Sequence, residues 1–304
     1  MLIQYQAILK ESVMSTEPLY LIHLTDTHVK APSARQFLNL DSTARLRAVF
    51  AAVRDLSLKP ACFLISGDLA HEGTRADYVH LKAVLDEEAA GFGVPMLVAL
   101  GNHDDRSAFR EGFLGEAPSS NGYYYASLVD GLRVITLDSE ITAAGEKVEG
   151  WLDAVQLSWL QEQLQTTAPR GTLIMLHHPP LRSTYRLFDD RVLNNPDDLG
   201  AVIRGSDVIG ILSGHIHFTS VGVFEGVPSV ASAGVSFNID PTTPRSMRFI
   251  DSSGYNLVMI REGRMIAQPL MLPGTNRELL HWQIGERFQR KAEQNPDELP
   301  PELR

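Results

Sequence analysis

Several polar residues stand at the ends of apolar runs in this sequence, and their types and spacing suit a metal site. Asp26 and His28 lie two apart in "LTDTH", and His215 and His217 repeat that interval in "SGHIHF". In extended chain, side chains two apart share a face, so each pair offers two ligands in one direction. Asp68 follows "LISG", Asn102 follows "VALG", and either His177 or His178 follows "LIML". Together they supply more imidazole, carboxylate and amide groups than one tetrahedral ion takes. Two divalent ions are implied. Ligation without thiolate suits Mn, Fe, Zn or Co, and affinity order alone does not choose among them.

These residues need elements to hold them. The runs "LYLIHLTD", "ACFLISGD", "PMLVALGNHD", "LRVITLDS", "GTLIMLHHPP" and "DVIGILSGHIH" read as buried strands. All but "LRVITLDS" end in a residue that can bind metal, and strand C-termini are where open α/β sheets build their sites. Helical periodicity fills the intervals, in "STARLRAVFAAVRDLSL" from Ser42, "TRADYVHLKAVLDEEAAGFG" from Thr74 and "DAVQLSWLQEQLQ" from Asp153. Asp41 or Ser42 would cap the first of these. Strand and helix alternation predicts an α/β layered domain. After His217, short alternating runs predict antiparallel strands and hairpins. The polar end from about residue 275 to 304 reads as a peripheral helix and tail.

Composition narrows the partners. The 304 residues are 44% hydrophobic with a formal charge of −10, which argues against general affinity for nucleic acid or anionic membranes. The single cysteine, Cys62, lies in an apolar run and reads as a small core residue. No apolar run reaches the ~18 residues of a membrane span, and residues 1–18 lack the pattern of a secretory signal. A soluble, cytoplasmic protein is expected, with residues 1–18 as an extension and Met14 as a candidate start.

The ordered set D-x-H, G-D, G-N-H-D, H-H and G-H-x-H resembles the metal signature of the calcineurin-like metallophosphoesterase superfamily. "GDLAHEG", "GNHDDR" and "FDDRVLNNPDDLGAVIRG" are similar to its class III cyclic-nucleotide phosphodiesterase and glycerophosphodiesterase branch. The resemblance implies a four-layer α/β/β/α sandwich of two mixed β-sheets flanked by helices, over residues 19–274. Residues 218–272 would form a β-rich part serving a second sheet or a dimer contact. By the same resemblance, Asp26, His28 and His217 hold one metal and Asn102, His177 and His215 the other. Asp68 bridges them. His103 would meet the substrate phosphate and act as general acid, with Asp104 orienting it.

That set implies a phosphodiesterase acting on a small soluble diester, a 3′,5′-cyclic nucleotide or a glycerophosphodiester. A metal-bridging hydroxide would attack phosphorus in line. Protein phosphatases of the superfamily carry "DRG" and a glutamate after G-N-H, unlike "GDLAHEG" and "GNHDDR" here. A phospholipase C-type headgroup hydrolase is the nearest rival, since "LRSTYRLF" offers lipid contacts as readily as a nucleotide cap. A non-catalytic scaffold is disfavoured because every ligand position is filled. His71, Arg106, Tyr185 and Arg186 are the candidate substrate contacts. His23 lies within a strand and reads as a hydrogen-bonded core histidine, and His80 as a structural residue on a helix. A homo-oligomer is a further expectation of the branch.

The neutral Asn102 among charged ligands has an electrostatic rationale. Two divalent ions facing Asp26, Asp68 and a hydroxide leave about one formal positive charge. A diester anion balances it.

Overall fold

The computed structural model describes residues 17–143, 146–188, 191–243 and 245–283. In chain order the strands are β1 (Leu19–Leu24), β2 (Cys62–Ser66), β3 (Met96–Ala99), β4 (Tyr125–Val129), β5 (Leu132–Thr136), β6 (Glu140–Ala143), β7 (Glu146–Glu149) and β8 (Thr172–Met175). They continue as β9 (Val208–Ser213), β10 (Ser220–Phe224), β11 (Val227–Ala231), β12 (Asn238–Ile239), β13 (Ser246–Ile250), β14 (Gly254–Arg261), β15 (Arg264–Met271) and β16 (Glu278–Gln283). The helices are α1 (Ser42–Asp55), α2 (Arg75–Phe92), the short α3 (Arg106–Phe109), α4 (Ala154–Gln163) and α5 (Pro196–Ile203).

Two large mixed sheets result, ordered β15-β14-β1-β2-β3 and β10-β11-β9-β8-β5-β4. Strand alternation dictates how they layer. Leu21, Cys62 and Leu64 on the first sheet join Val134, Leu173, Met175 and Leu212 of the second in one cluster. Their neighbours Ile22, Phe63 and Ile65 point the other way, onto Leu46, Val49 and Phe50 of α1 and Tyr78 and Leu81 of α2. On the second sheet Ile135, Ile174 and Ile211 likewise turn outward to Leu160 of α4 and Leu199 and Ile203 of α5. Strands buried on both faces need apolar residues at every position, which is why they read as unbroken runs. The layers are therefore helix, sheet, sheet, helix.

Local signals set the element ends. The Asp41 side chain accepts from Ala44 N at the start of α1, and Thr74 and Asp77 form a reciprocal capping box on α2. Cys62 is buried between the sheets, and burial pushes its thiol up to about 12. The β-rich stretch after His217 is divided among three sheets. β10 and β11 extend the second, β14 and β15 pair beside β1 in the first, and β12, β13 and β16 make a small third. One expectation is corrected here. Residues 278–283 form a strand against β13 rather than the start of a helix, because Leu280 and Trp282 cover Met247 and Phe249. The remaining tail and the stretch containing Met14 lie outside the described residues.

Candidate metal centre

The C-terminal ends of β1, β2, β3, β8 and β9 converge through main-chain bonds. Asp26 N donates to Gly67 O at 3.1 Å, and Gly214 N to His177 O at 3.0 Å. Extended geometry does not continue past these ends. Asp26, His28, Asp68, His215 and His217 all adopt left-handed φ, between 42° and 71°. So the two residues of each D-x-H and H-x-H pair share a direction by repeated left-handed turns, not by strand pleat. Side chains with a Cβ rarely occupy that region, and such strain gathers at functional sites. Close approach fixes two glycines as well. A Cβ on Gly214 would lie 1.7 Å from Thr25 Oγ1, and one on Gly101 would lie 2.3 Å from Asp68 Oδ1.

Asp68 belongs to two clusters of metal-competent atoms, one with Asp26, His28 and His217 and one with His177 and His215. Within the first, His28 Nε2 is 3.3 Å from His217 Nε2 and 3.5 Å from Asp68 Oδ2, while His217 Nε2 is 3.2 Å from Asp26 Oδ1. Within the second, His177 Nε2 is 3.3 Å from Asp68 Oδ2 and 3.1 Å from Asn102 Oδ1. All of these side chains except the half-buried Asn102 are almost fully buried.

The donor set fits divalent cations. His177 Nδ1 meets Ser66 O at 2.8 Å and His217 Nδ1 meets Phe237 O at 2.9 Å. A neutral ring whose Nδ1–H donates to a carbonyl turns its Nε2 lone pair inward, the tautomer a metal requires. Lone pairs and carboxylate oxygens then face one another at little over 3 Å, and buried Asp26 Oδ1 and His215 Nε2 lack a hydrogen-bond partner among the described residues. Such crowding of acceptors is relieved by positive charge. The electrostatics agree. Burial opposes it, yet the Asp68 carboxylate, Asp26 and the Ser66 carbonyl push His177 up to about 10. Burial equally opposes ionisation of Asp68, but His177 and His103 hold it well below the carboxylate range. Burial keeps His28 and His215 well below the usual imidazole value.

Around this pit the structure sorts the other candidates. His103 is half-buried at the mouth, its N–H donating to Asp68 Oδ1 at 2.9 Å and its Nδ1 2.8 Å from His71 O. Asp104 does not orient that ring. Its carboxylate accepts from Leu69 N, Ala70 N, Gly101 N and Tyr78 Oη, tying the Asp68 loop to the Asn102 loop. Burial and then the Asp68 charge push Asp104 up to about 6, against those donors. Arg106 is engaged by buried Asp138, with Nε to Oδ2 at 2.8 Å and Nη2 to Oδ1 at 3.0 Å. Tyr185 is buried with Phe188 and Phe218, and its hydroxyl donates to Ser246 O. Its ring is core, so the expected substrate contact there is replaced by packing. Arg186 is exposed beside a cavity of about 360 Å³ that Arg182, Leu193 and Asn194 also line.

The choice between His177 and His178 is geometric. His178 Nδ1 lies 2.8 Å from Ser139 Oγ, while His177 stands in the Asp68 cluster. His23 is the core histidine its position predicted, between Ser66 Oγ at 2.8 Å and Asn256 Nδ2 at 3.1 Å, and burial lowers it to about 3. His80 meets Thr43 Oγ1 at 3.0 Å between α2 and α1. Sequence reasoning missed Asp138 and Ser139. Both end "LRVITLDS", the one strand without a metal-competent candidate, and their place at the same sheet edge was the available signal.

Comparisons with known proteins bear on the fold and the family. Solved structures include a dimetal phosphatase from Danio rerio that aligns over 88% of this chain and 99% of its own, with a TM-score of 0.60 at 16% identity, a likeness of fold. A cAMP/cGMP dual specificity phosphodiesterase of Mycobacterium tuberculosis (strain CDC 1551 / Oshkosh) is 38% identical over 214 residues, 70% of this chain and 66% of that protein's length. A glycerophosphodiester phosphodiesterase of Enterobacter lignolyticus (strain SCF1) is 28% identical over 206 residues, 66% of this chain and 71% of the relative. The profile described as calcineurin-like phosphoesterase matches residues 19–218, the span that carries every strand end just described. The chain belongs to the calcineurin-like phosphoesterase family.

Proposed function

We propose that the protein is a dinuclear metal-dependent phosphodiesterase acting on a small soluble diester, a 3′,5′-cyclic nucleotide or a glycerophosphodiester. The observation that carries this reading is the membership of Asp68 in both ligand clusters. Asp26, His28 and His217 would hold one divalent ion and Asn102, His177 and His215 the other, with Asp68 between them. Mn, Fe, Zn and Co all suit these ligands. When bound, two such ions supply Lewis acidity at the phosphoryl oxygens and an activated water for in-line displacement.

The chain's own residues do the rest. Main-chain carbonyls aim the imidazoles of His177 and His217, Asp104 locks two ligand loops together, and left-handed turns hold paired ligands in one direction. His103, beside Asp68, would contact the phosphate and give a proton to the departing oxygen. The names of relatives that act on cAMP, cGMP and glycerophosphodiesters support the substrate class.

The test is a panel of cyclic AMP, glycerophosphocholine and phosphatidylcholine micelles on metal-loaded protein, with chelated protein as control. Turnover of a soluble diester that vanishes on chelation is expected. Cleavage of the lipid alone, or turnover indifferent to chelation, overturns the reading.

A further inference from the structure

Three histidines of the pit turn Nε2 toward a carboxylate, His28 and His177 toward Asp68 and His217 toward Asp26, but they are not oriented in the same way. His177 and His217 rest their Nδ1 atoms on main-chain carbonyls, of Ser66 and Phe237. Among the described residues no carbonyl holds that place for His28; its Nδ1 lies 3.1 Å from Nδ1 of His71. The ring of His71 is itself clamped. Phe37 stacks on it at 4.2 Å and 29°, and His103 lies across it at 5.1 Å and 21°. The His71 carbonyl meanwhile holds His103 Nδ1 at 2.8 Å.

We infer that His71 is a positioning residue that fixes the tautomer and ring orientation of His28 for the first metal, and aligns His103 by stacking. This deepens the dinuclear reading and rests on it. For His28 to present a lone pair at Nε2, its proton must sit on Nδ1, so His71 must accept there. His71 then carries its own proton on Nε2. His71 Nδ1 stands against His28 Nδ1, where a carbonyl stands for the other two rings, and Phe37 and His103 pack on the His71 ring. Because this orienting partner is a side chain, it is the one of the three that substitution can remove. The same arrangement reassigns His71, since a ring covered on both faces and bonded to His28 is poorly placed to grip substrate.

Three variants test this. His71→Ala removes the acceptor but keeps the carbonyl that holds His103; His71→Asn places Oδ1 near the position of Nδ1; Phe37→Leu removes the stack while leaving the acceptor. Stepwise Mn²⁺ affinity and stoichiometry are measured by chelator competition and paramagnetic resonance, with circular dichroism to verify folding. Wild type is expected to take two ions. His71→Ala should weaken one of them roughly 10- to 100-fold and leave the other unchanged. His71→Asn should recover most of that loss, and Phe37→Leu should stay within about threefold of wild type. Unchanged affinities in His71→Ala, no recovery in His71→Asn, or an equal loss in Phe37→Leu would overturn the inference. So would a third ion in wild type that His71→Ala loses, which would make His71 a ligand. A wild type that binds no ion overturns the dinuclear reading and takes this inference with it.

Discussion

The pit and the rim of this cleft are held by different means. In the pit, orientation comes largely from the main chain. Ser66 and Phe237 carbonyls aim two imidazoles, the Asp26 carboxylate accepts from His215 N at 3.1 Å, and that of Asp68 accepts from His103 N. At the rim, Arg106 depends on one buried carboxylate, Tyr185 on a hydrophobic cluster, and Arg186 on solvent. The difference teaches where substitutions should act. Pit residues are fixed by a scaffold that survives their loss, so their removal should cost chemistry. Rim residues are either structural or free, so their removal should cost stability or little.

Asp68→Ala breaks this comparison hardest if it fails. The variant removes the one carboxylate common to both clusters, and with it the charge that draws cations to both sides. Hydrolysis of bis(p-nitrophenyl) phosphate by metal-loaded protein should drop roughly 1,000-fold, about 4 kcal/mol of activation free energy. Undiminished turnover would mean that the pit is not the catalytic centre.

Arg106→Ala is expected to show the opposite profile. It leaves Asp138 fully buried without its bidentate partner, although Tyr123 N still donates to it at 2.8 Å. Breaking a buried pair on one side costs about 3 kcal/mol, read as a lower urea midpoint. KM for a soluble diester should change less than about threefold. A large rise in KM with intact stability would return Arg106 to the substrate.

This division also explains what could be read in advance. Asp26, His28, Asp68, Asn102, His215 and His217 stand directly after apolar runs, so a strand reading already places them at one edge. Which of His177 and His178 turns to Asp68 depends on Ser139, a residue 39 positions away, and no local pattern encodes that pairing. Arg106 and Tyr185 look like ligand contacts in one dimension because charge and aromaticity are visible while partners are not. The strand at Glu278–Gln283 was hidden for a similar reason. Its polar, alternating sequence acquires strand form only by pairing with β13.

Asn102→Asp sharpens the comparison from inside the pit. The amide oxygen lies 3.1 Å from His177 Nε2, so a carboxylate fits the same space and would add a negative charge to the second cluster. Metal should bind at least as tightly. The formal positive charge that attracts a diester anion would be cancelled, and Lewis acidity toward the phosphate reduced. A fall of about tenfold in kcat, with metal affinity undiminished, is expected. Wild-type turnover in this variant would remove charge balance as the reason for the amide.

The smallest effects belong to Tyr185 and Arg186, and they separate packing from contact. Tyr185→Phe keeps the ring among Phe188, Ile216 and Phe218 and loses the hydroxyl with its bond to Ser246 O, about 1 kcal/mol of stability. Its KM should not move. Arg186→Ala removes an exposed cation beside the 360 Å³ cavity, where solvent and salt screen its pull on an anionic substrate. KM should rise about twofold at low ionic strength and return to the wild-type value at high salt. A tenfold rise that persists in salt would show that the guanidinium touches the substrate directly. The rim would then share in binding what the pit cleaves.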